Sequence, residues 1–553
     1  MAISIRHLKR YRQIVGTLAR YGFGDIVASS WVKKTIYLGR KFLPWKGAIN
    51  VFSLSRWERI RMVLEELGPT FVKFGQIMSN RPDLVPHPLI VELKKLQSEV
   101  PPFSAREARR LVEVELRKPI AELFSDYTTT AMASASIAQV HRARLKDGNE
   151  VVIKIQRPDI KQIIETDIEI MFHLAALMER YAEKLNYFSP VAIVAEIERA
   201  IKRELDFNLE AAAIERFRIN FQNNRTIHIP KVYHDYSTSK ILTMEFIDGI
   251  KVGNLEGFNA AGLDLKLIAK RGANLILKQI FEHGFFHADP HPGNIMVLPG
   301  NIISLIDYGM MGTIAARDKE YLSSIFIGIV TQDSAKITRI ILQLSGNPHM
   351  IDADSIEYEI QVLLQYYTCK PISSINIGNV LNQLINLIMS FRLKIPHNFF
   401  LLAKALITIE GVARTLDPDL DMMKLVEPFA VKLLNKQTKP DKLLKDLYLS
   451  AFDLSELLRH LPSDIKDIVT QTKEGKLKIG FEHIGLEPIN KTLNIISKRL
   501  VTAVVLAALL LISALFIIAR IPPLLQGISL IGIGGLLVSG IIGVWLLFSI
   551  HRH

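Results

Sequence analysis

The sequence contains very little cysteine, with Cys369 as the single one among 553 residues. One cysteine excludes a disulfide framework and a zinc site built from cysteine thiolates, and it is typical of a reducing compartment. Charged residues are also few at 22%, whereas hydrophobic residues reach 49%, which excludes an intrinsically disordered chain. At about 150 residues per domain, this length predicts three or four structural units.

Acidic residues are almost absent from the N-terminus. Residues 1–50 hold ten lysines and arginines and one acid, Asp25, although the net charge of the whole chain is only +13. The remainder is therefore close to balance, which argues against a nucleic-acid groove and against nucleic acid as a partner. Because apolar and aromatic residues are interleaved with the basic ones, residues 1–50 are predicted to be a basic amphipathic arm that binds anionic membrane lipids. A solvated helix face remains the alternative.

Two long uncharged hydrophobic runs lie near the C-terminus, at residues 500–519 and 527–550. At 1.5 Å rise per residue each run can cross a hydrocarbon core of about 30 Å, which predicts two transmembrane helices rather than two buried core helices. Basic residues before the first run place the preceding domain in the cytoplasm. Gly535, Ser539 and Gly543 share a helix face and predict a close helix contact, either within this hairpin or in a homodimer.

The middle of the chain mixes helical and strand patterns. Residues 55–67 and 88–100 have apolar residues at helical spacing, and between them Lys73 and Gln76 would share one helix face. A helical stretch follows at 160–221, and two strands are predicted at 232–236 and 240–246.

A run of small residues precedes a predicted β-hairpin. An Asp-Gly pair at 147–148 separates two β-prone segments, and Lys154 stands on the returning strand. This arrangement resembles the start of a kinase small lobe, where backbone N–H groups and a strand lysine contact ATP phosphates. The run has no glycine, so it is stiffer than the usual loop. The predicted ATP-binding residues are Met132, Ala133, Ser134, Ala135, Ser136, Ile137, Ala138, Gln139, Val140 and Lys154.

An acidic residue on the helical stretch could pair with Lys154. A glutamate on a helix next to the small-lobe sheet holds the strand lysine of a kinase in position. Glu204 and Asp206 are alternative partners, and their spacing alone does not decide between them.

The strongest signal is a kinase-type catalytic loop. His287, Asp289 and Asn294 have the spacing of such a loop, and an Asp-Tyr-Gly triplet that starts at Asp307 replaces the usual Asp-Phe-Gly. Asp289 would accept or orient the proton of the attacking group, and Asn294 and Asp307 offer oxygen ligands to Mg²⁺. A transition-metal cluster at His287, Asp289 and His291 is a rival interpretation, but it leaves Asn294 and Asp307 without a role.

Taken together, these motifs resemble the UbiB family of atypical kinase-like ATPases, over roughly residues 56–313 and the two C-terminal runs. Residues 73–76 match the Lys-x-Gly-Gln signature of that family, 133–136 its alanine-rich loop and 204–206 its Glu-x-Asp motif. The resemblance implies that Glu210 is the partner of Lys154. The implied site comprises the catalytic residues Asp289, Lys154 and Glu210, the metal ligands Asn294 and Asp307, and the family motif residues Lys73, Gln76, Glu204, Asp206 and His287.

The resemblance also implies an α+β, protein kinase-like two-lobe fold with an N-terminal helical extension and two C-terminal transmembrane helices. In such proteins the extension covers the place where a protein kinase holds its peptide, and the absence of an Ala-Pro-Glu motif after Gly309 agrees with this. The predicted divisions are the basic arm at 1–50, the helical extension at 51–125, the small lobe with inserted helices at 126–249, the large lobe at 250–434, a helical connector at 435–498 and the transmembrane helices at 499–553.

The implied function is phosphoryl transfer from ATP, or ATP hydrolysis, in support of aerobic ubiquinone biosynthesis, with ATP and Mg²⁺ as cofactors. The implied location is the bacterial inner membrane, with polyprenyl-quinone precursors or the enzymes that modify them as partners. A pseudokinase scaffold that binds nucleotide and quinone precursors without chemistry is the alternative, although the retained catalytic set argues against it. A conventional protein kinase is a third hypothesis, which the missing activation segment disfavours.

Overall fold

The structure is a computed structural model of the full chain. It describes residues 5–23, 54–81, 84–96, 100–181, 189–345, 352–368, 376–391, 393, 395–437, 466, 473, 487–525 and 528–551. The chain divides into two compact units, Met1–Leu444 and Lys445–His553. Most of the connector predicted at 435–498 lies outside the described residues.

A five-stranded antiparallel sheet forms the centre of the small lobe. Its strands follow the order β1-β3-β4-β6, with β2 paired to β3. The predicted hairpin is confirmed as β3 and β4, and Gly148 adopts a φ of +89° at its turn, a conformation that favours glycine. The strands are β1 (Phe124–Tyr127), β2 (Ala133–Ser134), β3 (Ala138–Leu145), β4 (Glu150–Gln156) and β6 (Ile241–Glu245).

Helices of the N-terminal extension and of the small lobe pack around this sheet. The first helix after the arm begins with a capping box, in which the Ser55 hydroxyl accepts from the Glu58 backbone N–H and the Glu58 carboxylate accepts from the Ser55 N–H. The helices of this part are α1 (Ile5–Arg20), α2 (Arg56–Leu67), α3 (Pro69–Ser79), α4 (His87–Leu93), α5 (Ala105–Leu116), α6 (Ile120–Leu123), α7 (Ile160–Tyr181), α8 (Pro190–Glu204) and α9 (Phe207–Phe221).

Two local predictions are wrong. The helix expected over 88–100 ends at Leu93. The strand expected at 232–236 is reduced to one bridge, between Val232 and Met244, followed by the 3₁₀ turn His234–Tyr236. Tyr233 N–H donates to the Thr243 carbonyl, so this segment follows the edge of β6 without forming a second continuous strand.

The N-terminal helix α1 packs against the body of the protein. Tyr11, Ile14 and Val15 are buried within the main core. Arg10 bridges to Asp167 on α7, with its Nε 2.7 Å and its Nη2 2.9 Å from the two carboxylate oxygens. Protein therefore covers the apolar face of α1, and binding of the basic arm to anionic lipid stays a prediction. Residues 24–50 of the arm lie outside the described residues.

The strands of the large lobe position the loops that carry the catalytic motifs. One sheet has the order β5-β10-β9-β7, and a second pairs β8 with β11. The segment from β8 to β9 carries the catalytic loop, and Asp307 follows β10. The strands are β5 (Ile227–His228), β7 (Ile250–Lys251), β8 (Phe285–His287), β9 (Ile295–Leu298), β10 (Ile302–Leu305) and β11 (Met311–Thr313).

The rest of the large lobe is helical. The helix before the catalytic loop continues into a π-helical turn, Lys278–His283, which ends at Gly284 with a φ of +64°. The helices are α10 (Leu255–Ala260), α11 (Leu265–Leu277), α12 (Ala316–Thr331), α13 (Ser334–Ser345), α14 (Ala353–Thr368), α15 (Ile377–Ser390), α16 (His397–Leu416) and α17 (Met422–Gln437).

The second unit is a helical hairpin formed by α18 (Glu487–Ile518) and α19 (Leu530–His551), with a small β-turn pair, β12 (Leu524–Leu525) and β13 (Ile528–Ser529), between them. Within the described residues one helical segment, Arg499–Ile518, is long and apolar enough to cross a membrane. Within the same described residues, α19 contributes the apolar segment Leu530–Val544.

The small-residue face of α19 contacts α18. A Cβ at Gly535 would lie 2.1 Å from Ser513 Oγ, and a Cβ at Gly532 would lie 2.5 Å from Ile517 Cγ1. Ser539 is only 1% exposed. Of the two alternatives for this face, the intramolecular hairpin is therefore the one found, and the homodimer stays a prediction.

Candidate active site

The partner of the strand lysine is Glu210. Strand β4 places Lys154 beside α9, where its Nζ lies 2.9 Å and 2.8 Å from the two carboxylate oxygens of Glu210. The backbone N–H of Tyr308 also donates to Glu210, over 3.3 Å. This geometry settles the choice of partner, and it matches the lysine–glutamate pair that phosphoryl transfer in kinases requires.

Asp307 completes a charged triad with this pair. Its Oδ1 lies 3.5 Å from Lys154 Nζ and accepts from the Gly309 N–H at 3.0 Å. The charge of Lys154 holds the pKa of Asp307 well below its ordinary value. Burial alone would lower the pKa of Lys154, but the carboxylates of Glu210 and Asp307 outweigh it and raise that pKa. Burial raises the pKa of Glu210 to about 7 against the opposing charge of Lys154.

His287 is a neutral structural residue of the catalytic loop. Its Nε2–H donates to the Asp307 carbonyl over 2.7 Å, and its Nδ1 accepts from the Asp289 N–H over 3.0 Å. Burial lowers the pKa of His287, which keeps the ring uncharged. Since both ring nitrogens are engaged, the rival transition-metal cluster fails at this residue, and the described part of the chain contains no group of three His, Cys, Asp or Glu side chains that could hold a metal ion.

The carboxylate of Asp289 has a partner that the sequence motifs do not contain. Lys404 Nζ, on α16, lies 3.1 Å from Asp289 Oδ2. The Asp289 carbonyl accepts from Asn294 Nδ2 at 3.4 Å. The loop thus holds Asp289 and Asn294 together, and a lysine from a distant helix lies beside the proposed catalytic carboxylate.

Mg²⁺ fits the oxygen atoms available here. Asn294 uses its amide nitrogen on the Asp289 carbonyl, so its amide oxygen is the atom that can bind a metal. The Asp307 side chain is 48% exposed. Mg²⁺ prefers oxygen ligands and is commonly held by one or two protein groups together with substrate phosphates and water. Asn294 and Asp307 therefore meet the requirement without a cage of further carboxylates.

The Lys-x-Gly-Gln motif of the extension contacts the Glu-x-Asp motif of the small lobe. Lys73 on α3 forms an ion pair with Glu204 at the end of α8. Asp206 caps α9, because its carboxylate accepts from the Asn208 N–H at 3.0 Å. Gln76 Nε2 donates to the Leu96 carbonyl at 3.5 Å. Neither acid pairs with Lys154: Glu204 ties the extension to the small lobe, and Asp206 starts the helix that carries Glu210.

Gly75, between Lys73 and Gln76, allows α3 to approach its neighbouring helices. A Cβ there would lie 2.3 Å from Leu96 Cδ1 and 3.0 Å from Leu64 Cδ1.

We expect Gly75→Ala to lower the free energy of unfolding by about 1–3 kcal/mol through overpacking, measured by denaturant unfolding in detergent. Gly411→Ala is the matched control, since a Cβ at Gly411 meets nothing within 4 Å. Equal stability of the two variants would contradict the packing role of Gly75.

An arginine missed by the sequence analysis holds the small-residue loop. Arg157 donates from Nε to the Ala135 carbonyl at 2.9 Å and from Nη2 to the Ser134 hydroxyl at 2.8 Å. Its Nη2 also reaches the Pro101 carbonyl at 2.9 Å. Arg157 thereby joins the small-residue loop to the extension and fixes the position of the loop.

The predicted ATP-binding run divides into exposed and buried members. Met132, Ala133 and Ala135 are exposed, Ser134 and Val140 are half-buried, and Ser136, Ile137, Ala138 and Gln139 are buried. The Gln139 side chain is fully buried and accepts from the Phe103 N–H at 3.0 Å. For the buried members, any contact with a nucleotide would therefore come from the backbone rather than the side chain.

Three family models match the chain. They are the ABC1 atypical kinase-like domain at residues 95–341, the UbiB helical domain at 360–421 and the ABC1/UbiB kinase-like C-terminal domain at 484–552. Lys154, Glu210, Asp289 and Asp307 lie in the first of these regions, whereas Lys404 lies in the second.

Curated relatives match over most of their length. A protein of Marinobacter nauticus named "Probable protein kinase UbiB" is 34% identical over 473 residues, which cover 84% of this chain and 86% of the relative. A protein of the same name from Aeromonas hydrophila is 35% identical, with 85% and 86% covered. Among solved structures, the Rv3197–erythromycin complex from Mycobacterium tuberculosis is 21% identical, covers 72% of this chain and 98% of that chain, and has a TM-score of 0.47.

Proposed function

Because the chain belongs to the UbiB family of atypical kinase-like proteins, we propose that it is a membrane-anchored ATPase or small-molecule kinase that supports aerobic ubiquinone biosynthesis. The observation that carries the proposal is the triad of Lys154, Glu210 and Asp307 beside a catalytic loop with Asp289 and Asn294. Phosphoryl transfer depends on such positioning and on electrostatic stabilisation.

Each residue has a definite task in this proposal. Lys154, held by Glu210, binds ATP phosphates, and Asp289 orients the attacking group and accepts its proton. Asn294 and Asp307 would hold Mg²⁺, which supplies charge neutralisation on the phosphates when bound. His287 holds the backbones of Asp289 and Asp307 in fixed relative positions through hydrogen bonds of its two ring nitrogens.

The acceptor is proposed to be water or a small molecule rather than a protein. The Lys73–Glu204 ion pair joins the extension to the small lobe, and an extension fixed there favours exclusion of a peptide. ATP hydrolysis or transfer to a polyprenyl-quinone precursor fits a covered site. A conventional protein kinase would need an open groove.

The membrane part of the proposal depends on the C-terminal hairpin. Only 6% of Arg499–Ile518 is buried, and its mean hydropathy is 3.0, as expected for a helix that faces lipid. We propose that both hairpin helices span the bacterial inner membrane with the kinase-like unit in the cytoplasm. Anionic lipids, quinone precursors and the enzymes that modify them are the proposed partners.

The test is phosphate release from Mg-ATP by the full chain, reconstituted in phosphatidylcholine vesicles with and without phosphatidylglycerol. Asp289→Asn protein, prepared in parallel, gives the background. We expect release above that background, abolished by EDTA and increased by the anionic lipid. Bound nucleotide with background release in both vesicles would instead favour the scaffold alternative.

A cellular measurement tests the biosynthetic role. Bacteria that carry Asp289→Asn as their only copy are expected to lose most of their ubiquinone during aerobic growth, as measured by chromatography of extracted lipids. Unchanged ubiquinone content in those cells, with the variant present at the wild-type level, would refute the role.

A further inference from the structure

Lys404 pairs with Asp289 across a large separation in sequence. It lies in the middle of α16, and its Nζ is 3.1 Å from Asp289 Oδ2. The side chains of Lys404 and Asp289 are 28% and 33% exposed. A pair that is this accessible to solvent contributes only about 0–1 kcal/mol to stability, so stability gives a weak reason for a lysine in this place.

The other two lysines of the predicted site are already paired with other carboxylates. Lys154 lies between Glu210 and Asp307, and Lys73 is paired with Glu204. His291, two residues after Asp289, is exposed and uses its Nδ1 to accept from the Gly293 N–H at 3.1 Å. His291 therefore caps the turn of the loop.

An anionic Asp289 alone would repel the terminal phosphate of ATP. Phosphoryl transfer needs positive groups directed at the oxygens where charge develops. A lysine is well suited to this task, because its ammonium is a compact charge on a flexible stem and can move between two anions. Lys404 is within reach of the carboxylate next to which the transferred group must lie.

We propose that Lys404 is a phosphate-binding residue of the active site. Without nucleotide it neutralises Asp289, and with ATP its ammonium contacts oxygens of the terminal phosphate, which leaves Asp289 free to act on the acceptor. ADP lacks that phosphate, so Lys404 stays on Asp289 in the ADP complex. This inference rests on the proposed binding of ATP, and it gives the helical region a direct part in recognising the nucleotide.

The experiment compares two nucleotides in binding, so it does not require turnover. Dissociation constants for Mg-ADP and for the β,γ-imido analogue of ATP are measured on the full chain in detergent by calorimetry. We expect Lys404→Met to weaken binding of the imido analogue by about tenfold and to leave ADP within about twofold. Lys404→Arg keeps the charge and should retain most of the preference. Lys424→Met, at a 74% exposed lysine on α17, is the control.

The outcomes separate this inference from the proposed function. The role of Lys404 is refuted if the ratio of the two dissociation constants is unchanged in Lys404→Met, whether both nucleotides bind as in the wild type or both bind equally more weakly. Lys404→Gln repeats the comparison if the methionine variant unfolds. If the wild type prefers the imido analogue, Lys404→Met loses that preference and the wild type releases no phosphate, then the proposed ATP hydrolysis is refuted and the role of Lys404 in binding is kept. A wild type that binds neither nucleotide would refute both.

Discussion

Replacing Glu210 with glutamine is expected to lower kcat/KM for ATP by about 10²-fold, the size of effect that a misplaced catalytic group produces. Glutamine keeps the shape of the side chain and an oxygen that can accept from the Tyr308 N–H. It removes the charge that holds Lys154 at 2.8 Å, so the lysine shifts toward Asp307, which is 3.5 Å away. Both the phosphate-binding cation and the proposed metal ligand are then disturbed.

The pH dependence gives this prediction a second readout. Burial raises the pKa of Glu210 to about 7, so acidification through that pH neutralises the carboxylate and releases Lys154. We expect kcat/KM, which reports the free enzyme, to fall as the pH drops below about 7 in the wild type. Glu210→Gln should lack this acid limb.

Protonation of Glu210 should raise the stability of the folded protein, although it lowers turnover. The pKa of Glu210 in the folded protein lies above its ordinary value of 4.5, so the folded protein binds the proton more tightly than the unfolded chain does. Its contribution to stability is fully present below about 4.5 and is lost as the pH rises through about 7. A decline in turnover on acidification therefore cannot be attributed to unfolding caused by this group.

Glu215→Gln is the matched control for Glu210→Gln. Glu215 lies on the same helix and pairs with Arg218, whose side chain is 55% exposed, so we expect wild-type kinetics. Turnover of Glu210→Gln within about twofold of the wild type would mean that the ion pair with Lys154 is not needed for the reaction.

Glu410→Ala is expected to be the most destabilising of the substitutions considered, at about 3–5 kcal/mol. Glu410 is 1% exposed and accepts from the backbone N–H groups of Ile377 and Gly378, at 3.1 Å and 2.6 Å. It also accepts from Arg414 Nε at 3.1 Å. Alanine would leave buried donors at the start of α15 without an acceptor, and each such group carries a desolvation penalty.

The change is measured as a shift of the thermal midpoint in detergent, for which we expect a fall of about 10 °C. Glu427→Ala, at an exposed glutamate on α17, should change the free energy of unfolding by no more than about 0.5 kcal/mol. A midpoint for Glu410→Ala that equals that of Glu427→Ala would show that α15 does not depend on this cap. Because α16 also carries Lys404, the variant should in addition lose part of its preference for the imido analogue over ADP.

The catalytic loop could be predicted from the sequence because its parts are close together along the chain. His287 ends β8, and Asp289 and Asn294 lie in the loop that leads to β9, so their spacing encodes their geometry. The strand lysine followed from the hairpin pattern in the same way. Its partner did not, since Glu204, Asp206 and Glu210 lie within one short segment, and the family resemblance was needed to choose Glu210.

Lys404 and Arg157 could not be predicted, for a different physical reason. A lysine on a helix and an arginine after a strand are usually solvated, and only tertiary packing brings them to Asp289 and Ser134. The amphipathic pattern of α1 also does not say what its apolar face contacts. Periodicity shows that one face is apolar, but it does not distinguish a lipid surface from the protein core that buries Ile14.

The contact between Arg10 and Asp167 also has a consequence for synthesis. The two residues are 157 positions apart, so at about 5–20 residues per second the ribosome makes Asp167 roughly 8–30 s after Arg10. During that interval α1 can contact α2, whose Leu67 carbonyl accepts from Arg10, but α7 does not yet exist. The salt bridge to α7 therefore forms only after the extension helices and the β3–β4 hairpin have been synthesised, so α1 completes its docking only once that part of the small lobe exists.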